Sequence, residues 1–209
     1  MAWHTWLAFL AASWVISLSP GAGAIASMSS GLRYGFARGY WNAAGLQVGL
    51  ALQIAVVAAG VGAILAASAT AFTLIKWFGV FYLLYLAVRQ WRAAPMQLQE
   101  QAQPQTGSRL GLVVRGLLVN LSNPKALVFM LAVLPQFIDP KAPLLAQYLI
   151  IGTTMVSVDM IVMAGYTGLA SRVLRLLRSP QQQRRLNRTF AGLFVGAATF
   201  LASLRRATL

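Results

Sequence analysis

The sequence predicts an all-α integral membrane protein of about six transmembrane helices, arranged as an inverted 3+3 repeat in which helices one and four are broken at proline. Three observations predict it. Hydrophobic residues make up 58% of the 209 and charged residues only 10%, against roughly 25% charged in ordinary soluble domains, and the mean hydropathy is +0.68. Six apolar runs succeed one another, separated by short basic links. The proline that interrupts the first run, in "SLSPGAGAI", returns in the fourth, in "VNLSNPKALVF".

The runs are about Trp3–Met28, Tyr40–Ala66, Ala71–Trp91, Gly111–Phe137, Leu144–Ser171 and Thr189–Leu204. A hydrocarbon core about 30 Å thick takes about 20 mostly apolar residues per helix, which leaves room for several spans but no sizeable soluble domain. One domain over 1–209 is expected. The first run contains "GAGAIA", with small residues at the spacing of a signal cleavage site, but no Lys or Arg precedes it, the first being Arg33; it reads as a retained helix. The second carries Gly45 and Gly49 at G-x-x-x-G spacing, a packing face. In the third, Lys76 lies about one turn in and reads as a lysine snorkelling to an interface. The sixth is short, and two runs are interrupted, so a re-entrant or five-span arrangement stays open.

Between the third and fourth runs, "APMQLQEQAQPQTGS" (Ala94 to Ser108) has the Gln- and Pro-rich composition of a loop and divides the chain into halves of about 1–93 and 109–209. Pro20 and Pro124 stand 104 residues apart, close to half the chain, and each follows a Leu-Ser pair. That is the pattern of an internal duplication. With three spans per half, the second copy must lie upside down relative to the first.

The formal charge of +14 raises the question of nucleic acid, whose phosphates attract basic patches. The seventeen Lys and Arg residues lie almost wholly in the links, however, where a membrane protein uses them for orientation. No nucleic-acid partner is expected. The links after runs one, three and five hold Arg33, Arg38, Arg89, Arg92, Arg109, Arg115, Arg172, Arg175, Arg178, Arg184, Arg185 and Arg188. Lys141, Arg205 and Arg206 lie on the other side. The positive-inside rule then puts the twelve-charge face in the cytoplasm and both termini outside.

Several kinds of chemistry lack raw material. Without cysteine there are no disulfides, thiolate metal sites or thiol electron carriers. One histidine, His4, and three acids, Glu100, Asp139 and Asp159, leave little for a metal cluster or a Ser-His protease. Neither an enzyme nor a cofactor is expected.

Proline lacks an N–H and its ring clashes with the preceding turn, so Pro20–Gly21 and Asn123–Pro124 should each break or kink a span. Irregular backbone at membrane depth is tolerated where it is buried in protein or lines a watered cavity, and the half-helix that follows offers unpaired N–H groups to an anion. A matched pair of breaks reads as a substrate site near the midplane; the plainer reading is two packing kinks. Asp159, near the centre of the fifth run in "TTMVSVDMIVMAGY", costs roughly 2.5–3.5 kcal/mol to insert as an ion and should face the interior. It is assigned proton coupling or ammonium binding, against a structural acid or static ion pair. Lys125 follows the second break and could meet a substrate carboxylate, pair with Asp159 or snorkel. Gln47, Asn120 and Asn123 are hydrogen-bonding groups in apolar surroundings, read as substrate contacts or as ties between helices.

On "SLSPGAGAI", "AGLQVGLA", "LIKWFGVFYLLYLAVRQWR", "VNLSNPKALVFMLAVLPQF" and "VDMIVMAGY", which together span essentially the whole chain, the sequence resembles the lysine-exporter (LysE/RhtB) family of bacterial amino-acid effluxers. Where the family usually has a second proline after the first Pro-Gly, Ala22 stands here, and the stretch looks most like the branch exporting homoserine and homoserine lactone. The resemblance implies proton-driven export of a small neutral amino acid across the bacterial inner membrane, with threonine or another neutral amino acid as the alternative substrate. The partners it implies are that substrate, protons and membrane lipid, and a homo-oligomer is compatible with it. By motif position it carries Pro20, Gly21, Asn123, Pro124 and Lys125 onto the family's two signature breaks and Asp159 onto its fifth-span acid.

Overall fold

A computed structural model describes residues 1–67, 69–93, 107–139, 141–170 and 179–203. These residues are helical throughout, with no strand among them: α1 is Trp3–Leu18, α2 Ala22–Ala67, α3 Ala69–Arg92, α4 Arg109–Leu121, α5 Pro124–Ala132, α6 Leu144–Gly168 and α7 Pro180–Ser203, with a 3-10 turn at Leu134–Phe137. Residues 94–106 of the Gln- and Pro-rich loop, Glu100 among them, and Arg172, Arg175, Arg178, Arg205 and Arg206 lie outside the described residues.

The boundaries differ from the apolar runs in two places, each for a local reason. The expected link between runs one and two is helical: Ala22–Ala67 departs from helical geometry only at Gly35, with φ 71° and ψ 175°. A side chain there would be strained, and glycine alone takes that backbone easily. Limbs 22–34 and 36–67 fold against each other across this turn, Gly39 meeting the backbone of Ser30 and Gly31, and Gly23 lying within van der Waals reach of Leu46. The fourth run is broken where its proline predicts, α4 ending at Leu121 and α5 opening at Pro124. The start of α4 is fixed by Ser108, whose Oγ accepts from the Gly111 N–H at 3.0 Å. The sixth run gains a polar start at Pro180, where the proline suits a first helical turn that hydropathy cannot see.

Contacts fix the directions of the helices. Trp41 stacks on the Arg109 guanidinium, Gly45 meets the backbone of Val113, and Gly49 approaches Leu117 and Asn120, so α4 runs parallel to limb 36–67. The Trp6 indole N–H donates to Thr154, Tyr166 reaches Leu18 and Gly31 meets the Thr167 backbone, so α6 runs parallel to α1 and to limb 22–34. Lys76 donates to the Ala202 carbonyl at 3.2 Å and Gln90 to Asn187 at 2.9 Å, which makes α3 and α7 antiparallel. Lys76 is therefore not merely snorkelling. It holds a carbonyl in the last turn of α7, where a cation suits the negative helix end.

Large apolar side chains cover the outer surface, and polar ones are buried beside the apolar core. Leu74, Phe78 and Phe81 on α3 and Leu145, Leu149 and Ile161 on α6 are exposed, while Ser13, Ser27, Asn42, Gln53, Asn120 and Gln147 are buried. An outer surface of this kind suits lipid rather than water. By length and composition, two of the described stretches are apolar enough to cross a bilayer, Ala22–Gly60 and Leu144–Gly168. The main apolar core, including Phe9, Leu83, Phe129, Leu134, Ile151 and Phe194, joins the remaining helices to them.

Gly45 and Gly116 let α2 and α4 touch backbone to backbone; a Cβ at Gly45 would overlap Val113, and one at Gly116 would overlap Asn42. Gly45→Ala should therefore lower the melting temperature of the purified protein by an amount equivalent to about 1–3 kcal/mol of overpacking. Gly60→Ala, with open space around it, should leave the melting temperature unchanged or raise it.

Candidate functional site

A helix that stops inside an apolar environment leaves its last carbonyls without intrahelical partners. At the end of α1 the Val15 carbonyl still receives the Ser19 N–H, at 3.1 Å. Beyond it the partners come from elsewhere. Lys125 on α5 donates its ammonium to the carbonyls of Ser19 at 2.9 Å and Ile16 at 3.3 Å, and the Tyr166 hydroxyl on α6 donates to the Leu18 carbonyl at 2.7 Å. A cation and a phenol thus close the negative end of the broken helix. Pro20 is buried and acts through its backbone; α2 begins directly after it, the Ile25 N–H reaching the Gly21 carbonyl at 3.0 Å.

The second break is closed locally. Ser122 and Asn123 return their N–H groups to Leu118 and Asn120, each at 3.0 Å. Asn123 is the N-cap of α5, its Oδ1 accepting from the Lys125 N–H at 3.1 Å, with Pro124 in the first turn where a missing N–H does no harm. Asn120 ties α4 to α2: its Nδ2 donates to the Leu46 carbonyl at 2.6 Å, and its own carbonyl accepts from Gln53 Nε2 at 3.0 Å.

Asp159 points inward from α6 and accepts a hydrogen bond from Gln47 Nε2 at 2.6 Å. Between the two breaks lies a cavity of about 70 Å³ bordered by Ser17, Ser19, Gly21, Asn120, Asn123, Lys125 and Asp159, polar enough and large enough for a few waters. Of the residues singled out from sequence, the structure brings Gly21, Asn120, Asn123, Lys125 and Asp159 to this one space. Gln47 stands behind Asp159 rather than on the cavity wall, and Pro20 also lies off it. Pro124 opens α5. Lys125 shares the cavity with Asp159, but its hydrogen bonds go to α1, and its ammonium lies 5.7 Å from the Phe194 ring centre. A larger space of about 420 Å³ between α1, α5 and α7 is walled by side chains such as Val15, Phe129 and Phe194 and has little to orient a polar solute. Among the described residues no cluster of His, Cys, Asp or Glu could hold a metal ion.

Sequence reasoning passed over Ser17, Ser19 and Tyr166. The signal for the tyrosine was present, since Met155, Asp159, Met163 and Tyr166 recur at the spacing of one helical face. The serines lie within the quoted "SLSP" itself. Small hydroxyls beside a break are read as helix breakers until the fold puts them on a cavity wall.

The LysE type translocator family matches residues 14–205. The chain belongs to this family. This LysE-type chain is 44% identical over 208 residues to a homoserine/homoserine lactone efflux protein of Salmonella typhi, covering 99% of this chain and 100% of that one. It is 43% identical to an uncharacterized membrane protein of Vibrio cholerae, over 97% and 98% of the two chains. It is 29% identical to a leucine efflux protein of Klebsiella pneumoniae, over 96% and 95%. No solved structure matches it.

The N-cap at the second break is testable in isolation. Asn123→Ala should cost about 1 kcal/mol of stability, read as a lower melting temperature, and Asn123→Ser, which keeps a capping oxygen, should restore most of it.

Proposed function

We propose that this chain is an efflux transporter of the bacterial inner membrane that exports small neutral amino acids, homoserine or homoserine lactone first, in exchange for protons. The observation that carries the transport reading is the Asp159 carboxyl inside a polar cavity bounded by two broken helices. The substrate is inferred from the 44% identity to homoserine/homoserine lactone efflux proteins over nearly the whole chain. Threonine or another neutral amino acid is the second reading, favoured by the more distant leucine efflux relatives.

On this reading the protein is a single domain with six spans, formed by α1 with limb 22–34, limb 36–67, α3, α4 with α5, α6 and α7. The second half is an inverted copy of the first. Two parallel pairings support the inversion: the first span beside α6 and the fourth beside limb 36–67, each with a glycine set against the partner's backbone. An inverted repeat exchanges these pairs.

The chemistry follows from the charges. The end of α1 presents carbonyls and the start of α2 presents N–H groups at Ala22, Gly23 and Ala24, so the first break offers opposite partial charges to the two ends of a zwitterion. A lactone has no free carboxylate, so the amine is the group both substrates share. Asp159 takes up a proton from one side and yields it on the other as the cavity changes its exposure, and Gln47 orients its carboxyl. Lysine is a poor candidate cargo, because Asp159 is the one acid on the cavity wall among the described residues.

The test is efflux of labelled homoserine, homoserine lactone, threonine, leucine and lysine from preloaded cells, with and without a protonophore. Homoserine should leave faster than from cells lacking the protein, the gain should vanish with the protonophore, and Asp159→Asn should bring efflux to the level of those cells. If none of the five leaves faster, the export reading fails; efflux indifferent to both the protonophore and Asp159→Asn removes the coupling alone.

A further inference from the structure

The Lys125 ammonium fills a cradle that is not built for a lysine in particular. Its floor is the Ile16 and Ser19 carbonyls at the negative end of α1, and its wall carries the Asp159 carboxyl. Two serine hydroxyls border the same space. Ser19 Oγ is buried without a hydrogen-bond partner among the described residues, and Ser17, also buried, faces the Asp159 carboxylate. Any primary ammonium has three N–H donors; two carbonyls already receive those of Lys125, and the Asp159 carboxyl and Ser19 border the same cavity. Unpartnered buried hydroxyls are uncommon because each costs the desolvation of a polar group. Here Ser19 Oγ marks acceptor capacity that Lys125 leaves unused.

We propose that Lys125 is a tethered stand-in for the substrate's amine: its ammonium occupies the α1 carbonyl cradle into which the α-ammonium of an exported amino acid or amino lactone must move. Substrate and lysine then compete for the Ile16 and Ser19 carbonyls, with Asp159 on the wall of the same cavity. This rests on the export reading above and deepens it by naming the amine site and what guards it.

The geometry allows the exchange. The backbone of Lys125 is anchored by the Asn123 cap, so its side chain can swing on a fixed base. Space beside it is kept by Gly21, where an added Cβ would lie 3.8 Å from both Cδ and Nζ of Lys125. When the substrate ammonium arrives, the Lys125 side chain swings aside within the same cavity. When the substrate leaves, the lysine returns, and the broken helix end is not left with bare carbonyls in an apolar surrounding. The cradle accordingly requires a primary amine and tolerates either an acid or a lactone at the other end of the molecule.

Two variants test this in purified protein, Lys125→Ala and Lys125→Met, the second keeping the apolar stem. Propylammonium should raise the melting temperature of Lys125→Ala while tetramethylammonium, which has no N–H, should not, and the wild type should need about tenfold more propylammonium for the same rise. Homoserine and homoserine lactone should bind Lys125→Met about tenfold more tightly than wild type if the lysine leaves about a tenth of the protein competent, while γ-butyrolactone, which has no amine, should not distinguish the two. Equal responses to propylammonium and tetramethylammonium, or weaker binding of the amines to Lys125→Met, overturn the proposal. Should neither variant fold alone, expression and purification in propylammonium is the readout: recovered protein supports the cradle, and none overturns it. Rescue by propylammonium without any homoserine effect keeps the amine site and removes homoserine as cargo. Homoserine export by wild type without rescue removes this proposal alone.

Discussion

Backbone polar groups released by a helix break cannot be left bare in apolar surroundings, and that constraint organises the centre of this protein. Pro20 ends α1 early, and the carbonyls it strands draw in a lysine from α5 and a tyrosine from α6. Three helices far apart in sequence are held together at one point by groups that a continuous helix would have paired internally. The second break needs no such help, because Asn123 caps the following helix and Ser122 closes the preceding one.

That asymmetry gives the two breaks different roles. The second is a self-contained bend whose product is the position of Lys125. The first is an open end that the rest of the protein must complete, and one of the completing groups, Lys125, also borders the cavity. Asp159 belongs to the same arrangement. It lies one turn from Met163 and two from Tyr166 on a single face of α6, so the helix that supplies the phenol to Leu18 also delivers the carboxyl to the space beside it. One face of one helix therefore supplies both a closing group for α1 and the cavity's carboxyl, while Phe78, Phe81 and Leu149 face outward.

Much of this was legible in the sequence because it depends on single residues with strong local preferences. Proline without an N–H predicts a break wherever it falls in an apolar run, and a lone acid in the fifth run predicts an inward side chain. The all-helical class follows from the runs themselves. What escaped depends on who sits opposite whom. Nothing in "NPKAL" says that the lysine will reach back to carbonyls more than a hundred residues earlier, and Asn120 could not be known as a strut to Leu46 before α4 lay against α2. Gly35 escaped for another reason: one residue with positive φ turns the chain, whereas hydropathy suggested a longer link between Met28 and Tyr40. The polar first turns of α7 likewise carry no hydrophobic signal.

The backbone-to-backbone seams at Gly45, Gly116 and Gly31 also have a mechanical meaning. Where main chains touch without an intervening layer of side chains, nothing soft remains to yield. Limb 36–67 is thereby clamped to α4 and limb 22–34 to α6, and the approach of Gly39 to Ser30 and Gly31 is a third seam that locks the two pairs together beside Gly35. Farther from that turn the pairs meet through side chains, Ala43 and Leu46 against Val158 and Val162, and through the bond from Gln47 to Asp159. The acid thus lies at a joint made of side chains, where adjustment costs less than at touching main chains.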